Sequence, residues 1–247
     1  NLNLLGNLQV SIWQIIWPTA VIVLGVWVLF GTTQARRLSV EEEHLIIPTE
    51  ASTQAEIVLN YGAGEFSVEA SAETGSILDG DFEGGVESRV RRSGTSTTIQ
   101  LSSPSRVFWA SWQWGTSFRH RWSVRLSDQI PIDLAVKTGA SDCRLDLTNL
   151  TVKSLHLETG ASSTRVRLPS HAGHTRVTGS SGAASLSLNV PEGVAARIRA
   201  TGGMASINVD RSRFPRQGDV YLSPDYDTAE NSIEINLEMG VGSIEIS

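Results

Sequence analysis

The sequence predicts an all-β soluble domain, a solenoid of two stacked sheets of short strands with repeats of ~21 residues, anchored by an N-terminal transmembrane α-helix. Three observations predict it. One phrase, a glycine followed by small or polar residues and then an apolar–polar–apolar alternation, recurs four times in a row. It reads Gly139-Ala-Ser-Asp-Cys-Arg-Leu145, Gly160-Ala-Ser-Ser-Thr-Arg-Val166, Gly182-Ala-Ala-Ser-Leu-Ser-Leu188 and Gly203-Met-Ala-Ser-Ile-Asn-Val209, with glycines 21, 22 and 21 residues apart. Further copies stand upstream, Gly62-Ala-Gly-Glu-Phe-Ser-Val68, and at the C-terminus, Gly240-Val-Gly-Ser-Ile-Glu-Ile246. Finally, residues 1–35 contain no charged side chain.

The membrane helix comes first. Residues 12–30 are apolar and long enough, at about 1.5 Å per residue, to cross a bilayer core. Trp13 and Trp17 toward one end and Trp27 toward the other suit the two interfaces, and Pro18 is tolerable near a helix start. No basic leader or small-residue cleavage site marks a signal peptide. Arg36 and Arg37 follow the helix, and the positive-inside rule then puts the downstream domain in the cytoplasm. The chain starts at Asn1 rather than Met, so a preceding segment is expected.

Residues 36–54 read as a linker and 55–247 as the β domain. Its upstream part shows antiparallel-like strands at 55–60, 65–68, 84–90 and 97–101. Asp79, Asp81 and Glu83 between them lack the later glycine and bidentate glutamate of a calcium loop, so a solvated turn is expected there. Residues 106–122 form a Trp-rich insertion holding four of the seven tryptophans, mixed with arginines. One reading is a hairpin whose aromatics cap the β stack. The other is a partner or membrane interface formed by Trp109, Trp112, Trp114, Phe118, Arg119, Arg121 and Trp122, because Trp and Arg dominate such surfaces.

In the repeats, period 2 sets Leu145 and Leu147, Val166 and Leu168, or Leu186 and Leu188 on one inward face. A second strand occupies the other half of each period, at 152–157, 175–177 and 195–199, and equivalent strands of successive coils stack in parallel. Gly62, Gly139, Gly160, Gly182, Gly203 and Gly240 serve corners, where positive φ or close backbone approach excludes a Cβ. Residues 211–231 read as one further coil or a surface crossover.

Function classes narrow by chemistry. A net charge of −6 disfavours a nucleic-acid binder, which needs a basic face. The single cysteine, Cys143, sits at an inward repeat position and excludes an intrachain disulfide. There is no nucleophile elbow, phosphate loop or Cys-x-x-Cys pair, and His171 and His174 lack a third ligand. A non-enzyme without cofactor or metal is expected. A hydrolase would need acids aligned on one face, for which Asp142, Asp146 and Glu158 are the candidates.

Two stretches resemble a known group. They are Ile16-Trp17-Pro18 with Leu24-Gly25-Val26-Trp27-Val28-Leu29 and Arg36-Arg37, and the run from Trp122-Ser-Val-Arg-Leu126 and Ile130-Pro-Ile-Asp-Leu134 through the Gly-Ala-Ser copies; residues 78–90 also fit. Together they resemble the LiaF-like membrane proteins of bacteria, which are linked to the response to cell-wall-active antibiotics, and the wider group of toast-rack, adhesin-like β domains. The resemblance implies a protein of the bacterial cell membrane, with more than one N-terminal helix, that regulates or assists others in the envelope. Its partners would be the lipid bilayer and other membrane proteins, a sensor histidine kinase or a membrane complex, with oligomers allowed. The alternative is a structural subunit or adhesin-like scaffold.

Overall fold

The computed structural model describes residues 42–70, 72–104 and 120–247. All their regular structure is β, and no helix among them is long and apolar enough to cross a membrane. The expected helix at 12–30, with Trp13, Trp17, Trp27, Arg36 and Arg37, lies outside the described residues, as do Trp109, Trp112, Trp114, Phe118 and Arg119.

The repeats form long strands rather than pairs of short ones. β2 (Gln54–Ala70), β7 (Ile132–Asp146), β10 (His174–Asn189), β11 (Ala195–Val209) and β14 (Ser232–Ile246) each run through their corner glycine. Only one coil is split, into β8 (Val152–Thr159) and β9 (Ser163–Arg167), around Gly160. At each corner the inward positions change parity, from Val136 and Thr138 to Ser141 and Cys143 in β7. Each strand thereby contributes to two leaves of a folded-over sheet, the residues before the glycine to the first leaf and those after it to the second.

The leaves stack in parallel and in register. In the first, Ile57, Leu134, Leu155, Val177, Ile235 and Ile198 form one inward column. In the second, Val68, Leu145, Val166, Leu188, Ile246 and Val209 form another. Both columns belong to a single hydrophobic core. Cys143 is fully buried there, and burial pushes its thiol up to about 12.

The stacking order departs from chain order at both ends. The upstream Gly62 copy in β2 docks directly on β7, and the C-terminal β14 inserts between β10 and β11. The fourth copy therefore never touches the third.

Added strands finish the stack. β5 (Ser96–Ser102) and β4 (Glu87–Ser93) extend the first leaf beyond β2, while β6 (Arg121–Leu126), β3 (Ser76–Glu83) and β1 (Glu42–Pro48) extend the second. β5 pairs in parallel with β2, against the antiparallel expectation, and antiparallel with β4 on its other side; β6 likewise is parallel to β2 and antiparallel to β3, which is antiparallel to β1. Residues 78–83 are not a solvated turn but the buried strand β3. The segment at 211–231 folds into a small hairpin, β12 (Arg216–Gln217) and β13 (Val220–Leu222), against Arg197 and Ile198 of β11.

Candidate functional site

Registration of the repeats lines up more than the core. The six corner glycines form a ladder in stack order, Gly62, Gly139, Gly160, Gly182, Gly240, Gly203, in which each faces the carbonyl of the one before. A Cβ on Gly139 would lie 2.5 Å from the Gly62 oxygen, one on Gly160 2.9 Å from that of Gly139, and one on Gly240 2.8 Å from that of Gly182. None of the six has a positive φ. Of the two reasons expected for glycine at these corners, close approach operates at Gly139, Gly160 and Gly240, more weakly at Gly203 and Gly182, and neither operates at Gly62.

An open groove of about 970 Å³ runs along this ladder. At about 4.8 Å per strand, six strands give it a length of about 24 Å. Beside the glycines it is lined by two further columns. The residues one place earlier are Tyr61, Thr138, Thr159, Ser181, Met239 and Gly202; two places earlier stand Asn60, Lys137, Glu158, Ser180, Glu238 and Thr201. Ser102 and Ser103 close one end. Tyr61, Thr138, Thr159 and Met239 are buried, so the open wall is formed mainly by the outer column, with its hydroxyls, two carboxylates and one ammonium.

Charges in the wall are partly engaged. Lys137 Nζ lies 2.9 Å from a Glu158 oxygen, and the His156 ring 2.8 Å from the other. These two partners, the imidazole foremost, hold the Glu158 carboxyl below its ordinary range. Thr159 and Ser181 hydroxyls share a 2.7 Å hydrogen bond. The Tyr61 hydroxyl donates to the His120 carbonyl, and burial, with Glu83 and Glu65 nearby, raises its pKa. No such groove was anticipated, although the signal was present: reading the two residues before each repeat glycine yields its walls.

Other candidates are placed differently. Trp122 is a core residue, 1% exposed, with its ring 5.2 Å from Tyr61 and edge-on to Phe82 at 4.9 Å, so it leaves the set of surface candidates. Arg121 is exposed and paired with Glu65 at 2.8 Å. The stack also separates the acids weighed for a hydrolase. Glu158 is on the first leaf, whereas Asp142 and Asp146 are on the second, paired with Arg144 and Arg165 and with Arg167. Asp79 and Asp81 grip Arg125 at 2.7 and 2.9 Å, and Asp81 also meets His44. His171 and His174 bond to separate serines, Ser170 and Ser232. No group of three or more metal-ligating side chains occurs among the described residues.

Comparison with known proteins agrees with this fold. No curated protein matches the chain. The crystal structure of a protein provisionally named a cell adhesion protein, from Clostridium sporogenes, superposes with a TM-score of 0.75 at 22% identity. The match covers 83% of this chain and 98% of that one. A provisionally named adhesin from Bacteroides fragilis matches over 85% of this chain and 98% of its own at 9% identity, but its TM-score of 0.35 carries no argument. The model of the N-terminal domain of toast_rack, DUF2154, matches residues 35–189, well over half the sequence, and the chain belongs to that family.

Proposed function

We propose that this chain is a membrane-anchored, non-catalytic regulatory or accessory protein whose β stack binds a polypeptide segment of another membrane protein along the glycine groove. The observation that carries the reading is the groove itself, an open trough with equivalent lining positions at every strand of the repeat. Its floor cannot move without disturbing backbone contacts. Its two carboxylates, Glu158 and Glu238, outnumber Lys137. Segments beside cytoplasmic membrane helix ends are rich in Lys and Arg, so an acidic trough suits them electrostatically. With Arg36 and Arg37 following the apolar segment, such a partner segment would lie on the same side of the membrane as the groove. In its LiaF-like form the partner is a sensor histidine kinase restrained by this contact. The second reading, an adhesin-like scaffold or a subunit of a large membrane complex, draws support from the name of the Clostridium neighbour.

The test is purification of the tagged full chain from native membranes in mild detergent, with partners identified and counted by mass spectrometry. The same is done for Glu158→Lys/Glu238→Lys. A substoichiometric kinase that the reversal releases, at unchanged melting temperature, is the expected result. A stoichiometric multi-subunit complex favours the second reading. Partners held equally by both chains sink the groove.

A further inference from the structure

The two leaves have four edges, and three of them carry the devices that protect sheets against strand addition. β4 ends the first leaf with Glu87, Arg89, Arg91 and Arg92, and β12, only 2 residues long, ends it on the other side. β1 ends the second leaf with Glu42, Glu43, His44 and Pro48. The fourth edge, residues 200–209 of β11, has neither a charge nor a proline, and no strand among the described residues pairs with its outer side.

Apolar surface collects at this same edge. The corner column that begins Ala63, Ala140 ends with Val241 and Met204, which are 45% and 77% exposed. Ile207 closes the inward column of Phe66, Cys143, Thr164, Leu186 and Ile244. It alone is half-buried where the other five are buried. The stack stops here with its ladder and its core both unfinished.

We propose that a second copy of this chain covers the edge, the two β11 strands pairing antiparallel about a two-fold axis to join the second leaves of two protomers into one sheet. Self-pairing is electrostatically clean. A two-fold through Ser206 sets Met204 opposite Asn208 and Ala205 opposite Ile207, all of the second leaf, and no charge lies within the paired stretch. Head-to-tail growth is disfavoured because the other edge of this leaf is acidic and ends in proline, so the contact closes at two copies. The inference is independent of the groove reading, since Glu158 and Glu238 take no part in it.

The experiment is sedimentation velocity of the full chain in detergent over a range of concentrations, beside Met204→Lys/Ser206→Lys, which adds charge at two exposed outer positions. The native chain is expected at twice the monomer mass and the double variant at the monomer mass, with the same melting temperature. In addition, Ser206→Cys, on the two-fold, is expected to give a disulfide-linked dimer on mild oxidation, with Cys143 too buried to compete, whereas Ser185→Cys in mid-leaf gives none. A native chain that stays monomeric throughout overturns the proposal. So does a dimer that survives the double lysine substitution, or a Ser206→Cys chain that fails to cross-link.

Discussion

At the residue scale, the corner glycines are alike in sequence and unlike in what they tolerate. Gly139 faces a carbonyl 2.5 Å from where its Cβ would sit, Gly182 one at 3.4 Å, and Gly62 nothing within 4 Å. A requirement for positive φ would make all six equally sensitive, whereas close approach makes them graded. We expect Gly139→Ala to cost about 1–3 kcal/mol, the range for overpacking against atoms that cannot withdraw. Gly182→Ala should cost little. Gly62→Ala should be neutral or stabilise by up to about 1 kcal/mol through the unfolded chain. Thermal or denaturant melts of the three variants decide the matter, and equal losses at all three would return the corner to a φ-based explanation. Gly64 and Gly242 are a different kind of residue, two places further on, where φ is 123° and 132° and the backbone also crowds against His120 and Ala184. Only the first and last copies have glycine there, and the repeat phrase alone does not separate these two demands.

At the element scale, a charged clamp at Arg125 ties the capping strand β6 to β3 and β1. Arg125 sends two nitrogens to Asp79 and a third to Asp81, which His44 of β1 also contacts, so β1, β3 and β6 are tied together. The His44 hydrogen bond, then that of Arg125, holds the Asp81 carboxyl below its ordinary value. A lowered carboxyl pKa contributes stability above the unfolded-state value, and that contribution is lost as pH falls through the folded one. Asp81→Asn should therefore melt lower than the native chain at neutral pH, by a few degrees at most because the site is part-exposed. The gap should close below the ordinary carboxylate range. A gap that persists undiminished into acid would show that the asparagine acts on packing and not through the charge. This clamp explains why β3 was misread: Asp79, Gly80, Asp81 and Glu83 look like a turn in isolation, yet Arg125, more than forty positions away, neutralises two of those acids within the sheet. The corner phrases, the inward alternation and the place of Cys143 were legible because each depends only on neighbours in the chain. The partners of β3 and the stack order were not, because they are decided between distant segments.

At the scale of the whole molecule, the insertion of β14 between β10 and β11 changes how stability is shared. A solenoid stacked in chain order puts its last coil at an end, so removing that coil frays one edge and leaves the rest. Here the last strand is interior to both leaves and pairs along its full length with β10 on one side and β11 on the other. It buries six large side chains, Ile233, Ile235, Leu237, Met239, Ile244 and Ile246. At about 1.5–3 kcal/mol each they amount to about 9–18 kcal/mol, on the scale of the entire net stability of a domain at about 5–15 kcal/mol. Folding of the described domain must therefore wait for its C-terminus, and β11 with its hairpin has no sheet to join until β14 arrives. A chain ending at Asn231 is expected to lose the cooperative thermal transition by circular dichroism and to be digested throughout by protease. Stacking in chain order would instead leave a cooperative melt, only modestly lowered, and a protected core from β2 to β11. That second outcome would mean that β10 and β11 can close on each other without β14, and that the interleaved order is a preference rather than a requirement of the fold.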